Sequence, residues 1–198
     1  INWTEQKRAF RTFGGVDKEN RHPSMVDAMA FSGGGHVDKN NSAGWKTDDK
    51  DVMFVMMTDT GLGESIAYST DGGLNFEYWK QNPIIKHKGR DPKPIWYEPG
   101  KHWVCVVYDE DKNPELKGLE KRNISFYTSK NLKDWELQSK IFGIFECPEL
   151  FELAVDGDEK NKKWVLFGAT PSYLIGDFDG KKFSPDTTIK GDTLFGNV

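Results

Sequence analysis

Residues 65–79, SIAYSTDGGLNFEYW, and residues 124–138, ISFYTSKNLKDWELQ, are built to one plan. Each is a short strand ending in Ser or Thr-Ser, a polar turn, and an aromatic residue that opens another strand. IGDFDGKKF at 175–183 is a shorter echo. Strands of the form KxWV precede the second segment and the echo: KHWVCVV from Lys101 and KKWVLFG from Lys162. Upstream of those stand two segments that pair an acid with a proline, RDPKPIW at 90–96 and FECPELFEL at 145–153. Four short strands recurring at about 55 residues describe a propeller blade. The alternative is an ordinary meander whose halves look alike by accident.

The rest of the chain fits an all-β reading. VMFVMM (52–57) joins the strand signals, and DGG (71–73), EPGK (98–101) and DGDEKNKK (156–163) supply turn chemistry. INWTEQ (1–6) aligns with LKDWELQ (132–138), so the chain is expected to open on a blade's last strand. GDTLFGNV (191–198) reads as the start of a further blade. Between them, blades are expected over roughly 25–80, 90–140 and 145–185. A propeller closes to hide its sheet edges. Three blades and a remnant do not close, so these residues are expected to be the central part of a longer chain.

Composition excludes several functions. A net charge of −4 without a basic stripe argues against a nucleic-acid partner. No apolar stretch approaches the ~18 residues of a membrane helix. Aromatic residues make up 13% of the chain, which suits sheets or carbohydrate contacts. Cys105, inside WVCVV, reads as a small core residue. His22, His36, His87 and His102 lack ligand spacing, so no metal site is expected.

The acids before the two prolines carry the chemistry. Proline has no N–H and suits a strand's first residue. A blade's first strand lines the central channel, so Asp91 and Glu146 are expected at one channel mouth. Paired carboxylates at a small cavity are the apparatus of glycosidic-bond cleavage. Glu146 has apolar Phe145 and Phe151 near it in sequence; a surface strand cap is the plain alternative, and Glu149 and Glu152 compete in the same run. Asp91 has Arg90 beside it as a counter-charge that would keep it ionised; a surface ion pair is the plain alternative. Phe31 and Ser32 would be an aromatic wall and a hydroxyl donor, or merely a strand edge beside glycines. Asp71 reads as a turn residue.

These segments resemble motifs of glycoside hydrolase family 32, the invertases, inulinases and levanases. GRDPKPIW and FECPELF look like its RDP and ECP motifs. AFSGGGHVDKNNSAG (30–44) is similar to its FSGS…NTSG segment, with Gly34 where the last Ser commonly stands. SIAYSTDGGLNFEYW, ISFYTSKNLKDWEL and IGDFDGKKF match further segments in family order. The resemblance implies a five-bladed β-propeller, usually followed by a β-sandwich, and a retaining mechanism on β-fructofuranosyl bonds without metal or cofactor. It implies Glu146 as acid/base and Asp91 as the acid that holds sugar hydroxyls, with Arg90, Phe31, Ser32 and Cys147 on the substrate side. The nucleophile is implied to be an Asp in an NDPNG motif, which these residues lack. The 198-residue chain alone is therefore expected to be inactive and poorly soluble. The substrate class, fructan or sucrose, suggests a secreted or periplasmic parent. Alternatives are a fructan-binding remnant, a sialidase suggested by STDGGLNF, or an arabinose- or xylose-specific propeller.

Overall fold

The computed structural model describes residues 29–169 and 173–188. The expected strand at 1–6, the expected blade start at 191–198 and the beginning of the first expected blade lie outside the described residues. Within them the chain forms three antiparallel four-stranded sheets, each a meander in sequence order. The first holds β1 (Ala30–Asp38), β2 (Val52–Asp59), β3 (Gly63–Ser69) and β4 (Glu77–Tyr78). The second holds β5 (Arg90–Tyr97), β6 (His102–Glu110), β7 (Arg122–Ser129) and β8 (Glu136–Phe142). The third holds β9 (Glu149–Val155), β10 (Asp158–Phe167), β11 (Tyr173–Phe178) and β12 (Phe183–Pro185). The opening strands of successive sheets are neighbours, β1 lying along β5 and β5 touching β9. That is the arrangement of propeller blades around a shared axis.

Strand β6 explains why the sheets stack face to face. WVCVVY is apolar without alternation because both of its faces are covered. Trp103 and Cys105 point into a core shared with Phe54, Met56 and Ile66 of the first sheet. Val104, Val106 and Tyr108 point the other way, into a core with Leu150, Leu166 and Phe178 of the third. Successive side chains of a strand leave opposite faces. A middle blade therefore needs apolar residues at every position. Each fully buried side chain of this kind contributes about 1.5–3 kcal/mol.

The repeated turns share one hydrogen-bonding scheme. Ser69 Oγ donates to Asp71 Oδ1 at 2.7 Å, and the N–H groups of Leu74 and Asn75 close on the same oxygen. In the second sheet Ser129 Oγ donates to Asn131 Oδ1 at 3.2 Å, and the N–H groups of Lys133 and Asp134 close on that oxygen. A short Asx side chain replaces backbone partners in both turns. The Asn75 side chain and the turn N–H groups hold the Asp71 carboxyl well below the usual carboxylate range. Turn chemistry thus accounts for Asp71.

Candidate active site

The site gathers where the three sheets present their first strands. The register of β1 against β2 shifts between Ala30 and Gly33, and that of β5 against β6 between Arg90 and Lys93. Both are bulges, which bend a strand and re-aim its side chains. Gly33 makes the first possible: a Cβ there would stand 1.9 Å from the Met56 carbonyl oxygen. Asp91 sits in the second bulge with φ of 66°. Glu146 and Cys147 follow suit at 49° and 43°. Left-handed backbone costs about 1–2 kcal/mol for each non-glycine residue. Three such residues at one place need holding from outside.

Two sets of bonds hold them. The Asp91 N–H donates to Thr58 Oγ1 at 2.9 Å, and the Cys147 N–H donates to Asp91 Oδ2 at 3.1 Å. The strained backbone of one sheet therefore docks on the acid of the next. On the far side the Ala169 N–H is shared between the carbonyls of Phe145 and Glu146, at 2.7 and 2.9 Å. Gly168 permits this approach, since a Cβ there would lie 2.5 Å from the Glu146 carbonyl oxygen. Glu146 thus precedes its strand. Pro148 offers no N–H, and β9 pairing begins only at Glu149.

Arg90 joins the two acids. Its Nε donates to Glu146 Oε1 at 2.9 Å, its terminal nitrogen contacts the same oxygen, and its Nε lies 3.9 Å from Asp91 Oδ2. The guanidinium rests over the Tyr108 ring, 4.8 Å from its centre. Arg90 thus hydrogen-bonds Glu146 and stands at ion-pair distance from Asp91, the counter-charge role the sequence suggested.

A cavity of about 70 Å³ opens beside this pair. Ser32, Asp91, Lys93, Cys147 and Glu149 line it, so all three sheets contribute. Lys93 Nζ donates to Glu149 Oε1 at 2.9 Å across its edge. Glu152, the other competing acid, is 3.7 Å from Lys162 Nζ. Phe31 is half-buried on β1 and does not line the cavity. Phe145 stacks edge-on against Tyr108, while Phe151 packs on Phe167. Among the described residues no cluster of His, Cys, Asp or Glu is arranged to hold a metal.

A family model described as the glycosyl hydrolases family 32 N-terminal domain matches residues 2–193. The chain belongs to this family. It is 38% identical over 177 residues to the levanase of Bacillus subtilis, covering 77% of this chain and 24% of that protein. It is 30% identical to an extracellular exo-inulinase of Aspergillus niger, covering 98% of this chain and 41% of that one. Among solved structures, the β-fructofuranosidase of Schwanniomyces occidentalis with fructosyl-erythritol aligns with a TM-score of 0.72 at 27% identity, covering 98% of this chain and 38% of that one. The exo-inulinase of Aspergillus awamori gives 0.67 at 29%, covering 85% and 40%. The chain thus spans less than half the length of these family 32 proteins.

Beneath the cavity of this family 32 chain lies a buried polar group that sequence reading missed. Thr58 Oγ1 donates to Glu64 Oε2 at 2.9 Å, and His87 Nε2 meets Glu64 Oε1 at 2.7 Å. Glu64 opens the apolar run SIAY and is fully buried. A carboxylate beside such a run was the available signal, because a buried charge needs partners. Burial raises the Glu64 pKa, outweighing the hydrogen bonds from His87 and Thr58. Burial opposes charge on His87, yet Asp109 and Glu64 prevail and push it up to about 9. The Gly89 N–H approaches His87 Nδ1 at 3.0 Å, a bond that only the neutral ring accepts; in the ionised ring that nitrogen faces Asp109 Oδ1, 3.9 Å away.

Both shifts mean that the folded chain holds protons more tightly than the unfolded one. The His87 contribution is complete below its ordinary pKa of 6.5 and is lost as pH rises through about 9. Glu64 acts in the same sense, its share being lost above the ordinary 4.5. Thermal melts between about pH 6 and pH 10 are expected to show falling stability, by up to about 3 kcal/mol, less what the ionised ring forgoes at Gly89. The His87→Gln variant should show a flatter slope; an unchanged slope would mean the ring does not titrate in this window.

Proposed function

We propose that this chain is part of a β-fructofuranosidase that cleaves sucrose, inulin or levan with retention of configuration. The observation that carries the reading is the meeting of Asp91 and Glu146 from successive sheets around Arg90. Glu146 protonates the leaving glycosidic oxygen and later takes a proton from the attacking water. Asp91 accepts vicinal hydroxyls of the fructosyl ring, and those bonds strengthen as positive charge develops. Arg90 orients the Glu146 carboxyl through Oε1. Ser32 and Cys147 face the sugar across the cavity, while Phe31, next to Ser32 on β1, stands outside its lining. The nucleophile is a further carboxylate outside these 198 residues. The three sheets are blades of a five-bladed propeller, with boundaries near 25–80, 90–140 and 145–185, completed by the rest of a longer polypeptide. Exo-inulinase relatives are named as extracellular, which supports secretion of the parent.

The alternative reading is a fructan-binding module that does not cleave. One assay separates the two. Residues 1–198 and the full natural polypeptide that carries them are incubated with sucrose, inulin and levan, and released fructose is measured. Release by the full polypeptide and none by 1–198 is expected. Binding without release by both would establish the module. Release by 1–198 would place the nucleophile within it.

A further inference from the structure

We propose that Thr58, Glu64 and His87 are positioning residues that hold the strained Asp91 backbone in the orientation its carboxylate needs. The inference rests on the reading of Asp91 as the sugar-holding acid and goes beyond it to what keeps that acid in place.

The hydrogen bonds close a ring. The Asp91 N–H donates to Thr58 Oγ1 at 2.9 Å, whose own proton goes to Glu64 Oε2 at 2.9 Å. The other Glu64 oxygen accepts from His87 Nε2 at 2.7 Å whether or not the ring is ionised, and His87 stands two residues before Gly89. Gly89 then leads along the chain back to Asp91. The ring spans the first two sheets, with Thr58 on β2, Glu64 on β3 and His87 just before β5. Backbone bonds reinforce it, the Glu64 N–H to the Ile85 carbonyl at 2.9 Å and the Ile84 N–H to the Glu64 carbonyl at 2.8 Å.

The ring is dry. Thr58 is 3% exposed and Glu64 0%, and the His87 side chain is 6% exposed. Water cannot replace a lost partner cheaply there. The direction of donation also fits. A hydroxyl has one proton, and Thr58 gives it to Glu64, so its lone pairs face the Asp91 N–H. An ordinary strand amide would find its partner in the ladder. At φ of 66°, inside the bulge, Asp91 takes a side chain instead. Asp109, itself contacted by Lys140, and the Tyr127 ring pack behind His87 and close the ring from the second sheet. A group this buried, aimed at the backbone of one acid of the pair, acts on geometry and need not touch substrate.

The test uses the full natural polypeptide. Thr58→Val keeps the shape and removes the hydroxyl; Thr58→Ser keeps the hydroxyl. Hydrogen exchange at the Asp91 amide, followed by NMR, should quicken about ten-fold or more in Thr58→Val, the worth of a buried hydrogen bond, and stay near wild type in Thr58→Ser. On sucrose, kcat should fall about 10–100-fold in Thr58→Val with KM within about three-fold, and Thr58→Ser should restore it, since misplacing a reacting partner costs that much. If Thr58→Val does not fold, Glu64→Gln serves, because one amide cannot accept from both Thr58 and His87. Asp91 exchange unchanged in the folded variant overturns the proposal whatever the activity. So does a kcat loss that Thr58→Ser fails to restore. Asp91→Asn runs in parallel: wild-type turnover there sinks the reading of Asp91, and amide exchange alone then judges the ring.

Discussion

Replacing Glu146 by Gln in the full natural polypeptide is expected to lower kcat on sucrose or inulin by about 10²–10⁴-fold, the usual contribution of a positioned acid/base. The substitution preserves size, and an amide oxygen can still accept from Arg90 where Glu146 Oε1 now sits, 2.9 Å from Nε. What it loses is a transferable proton. The loss should shrink for a substrate with an activated leaving group, which departs without protonation. Water attack on the glycosyl-enzyme also needs a base, so KM should fall along with kcat as the intermediate accumulates. A merely structural Glu146 would behave differently: Gln would keep the Arg90 contact and most of the rate, and substrate choice would not matter. Turnover equal to wild type would exclude Glu146 and turn attention to Glu149. That residue lines the 70 Å³ cavity, which Glu146 itself does not, but it is tied to Lys93 at 2.9 Å.

The all-β architecture was legible because its causes are local. WVCVVY is apolar on both faces, as a strand between two sheets must be, and it became β6. The Ser-x-Asp and Ser-x-Asn turns show the same bonding in two sheets, which is why their sequences look alike. The nearness of Asp91 and Glu146 was legible through the repeat, because equivalent positions of successive blades meet at the axis. Three things were not legible. Left-handed φ at Asp91, Glu146 and Cys147 has no residue signature, since glycine would announce it and none of these is glycine. Arg90 sits next to Asp91 in sequence, so neighbourhood showed that ion pair but not the hydrogen bonds to Glu146, 56 residues on. Glu64 and His87 are 23 residues apart, and their union depends on the loop before β5 folding back onto β3.

The Asp91→Asn variant is expected to lose about 10–100-fold in kcat on sucrose, with a smaller change in KM. Asn matches Asp in size, and its side-chain oxygen can still accept the Cys147 N–H that now meets Oδ2 at 3.1 Å. The backbone bond to Thr58 is untouched by the change. The architecture of the site should therefore survive, and what is removed is one negative charge. Hydrogen bonds to a charged acceptor contribute about 1.5–3 kcal/mol each, roughly twice the neutral kind. Two sugar hydroxyls losing that increment as the ring gains positive charge account for the expected fall. Because the increment is larger in the transition state than in the bound ground state, it belongs in kcat. Asp91→Ala should do worse, since it also strips the Cys147 N–H of its acceptor and frees a left-handed backbone that the contact restrains. A fructoside lacking one ring hydroxyl sharpens the test. It should already be slower with the wild type and lose only about half as much, on a logarithmic scale, with Asp91→Asn, because one of the two affected bonds is already gone. Full additivity of the two losses, or an Asp91→Asn enzyme as fast as wild type, would reduce Asp91 to a clamp for the Cys147 loop.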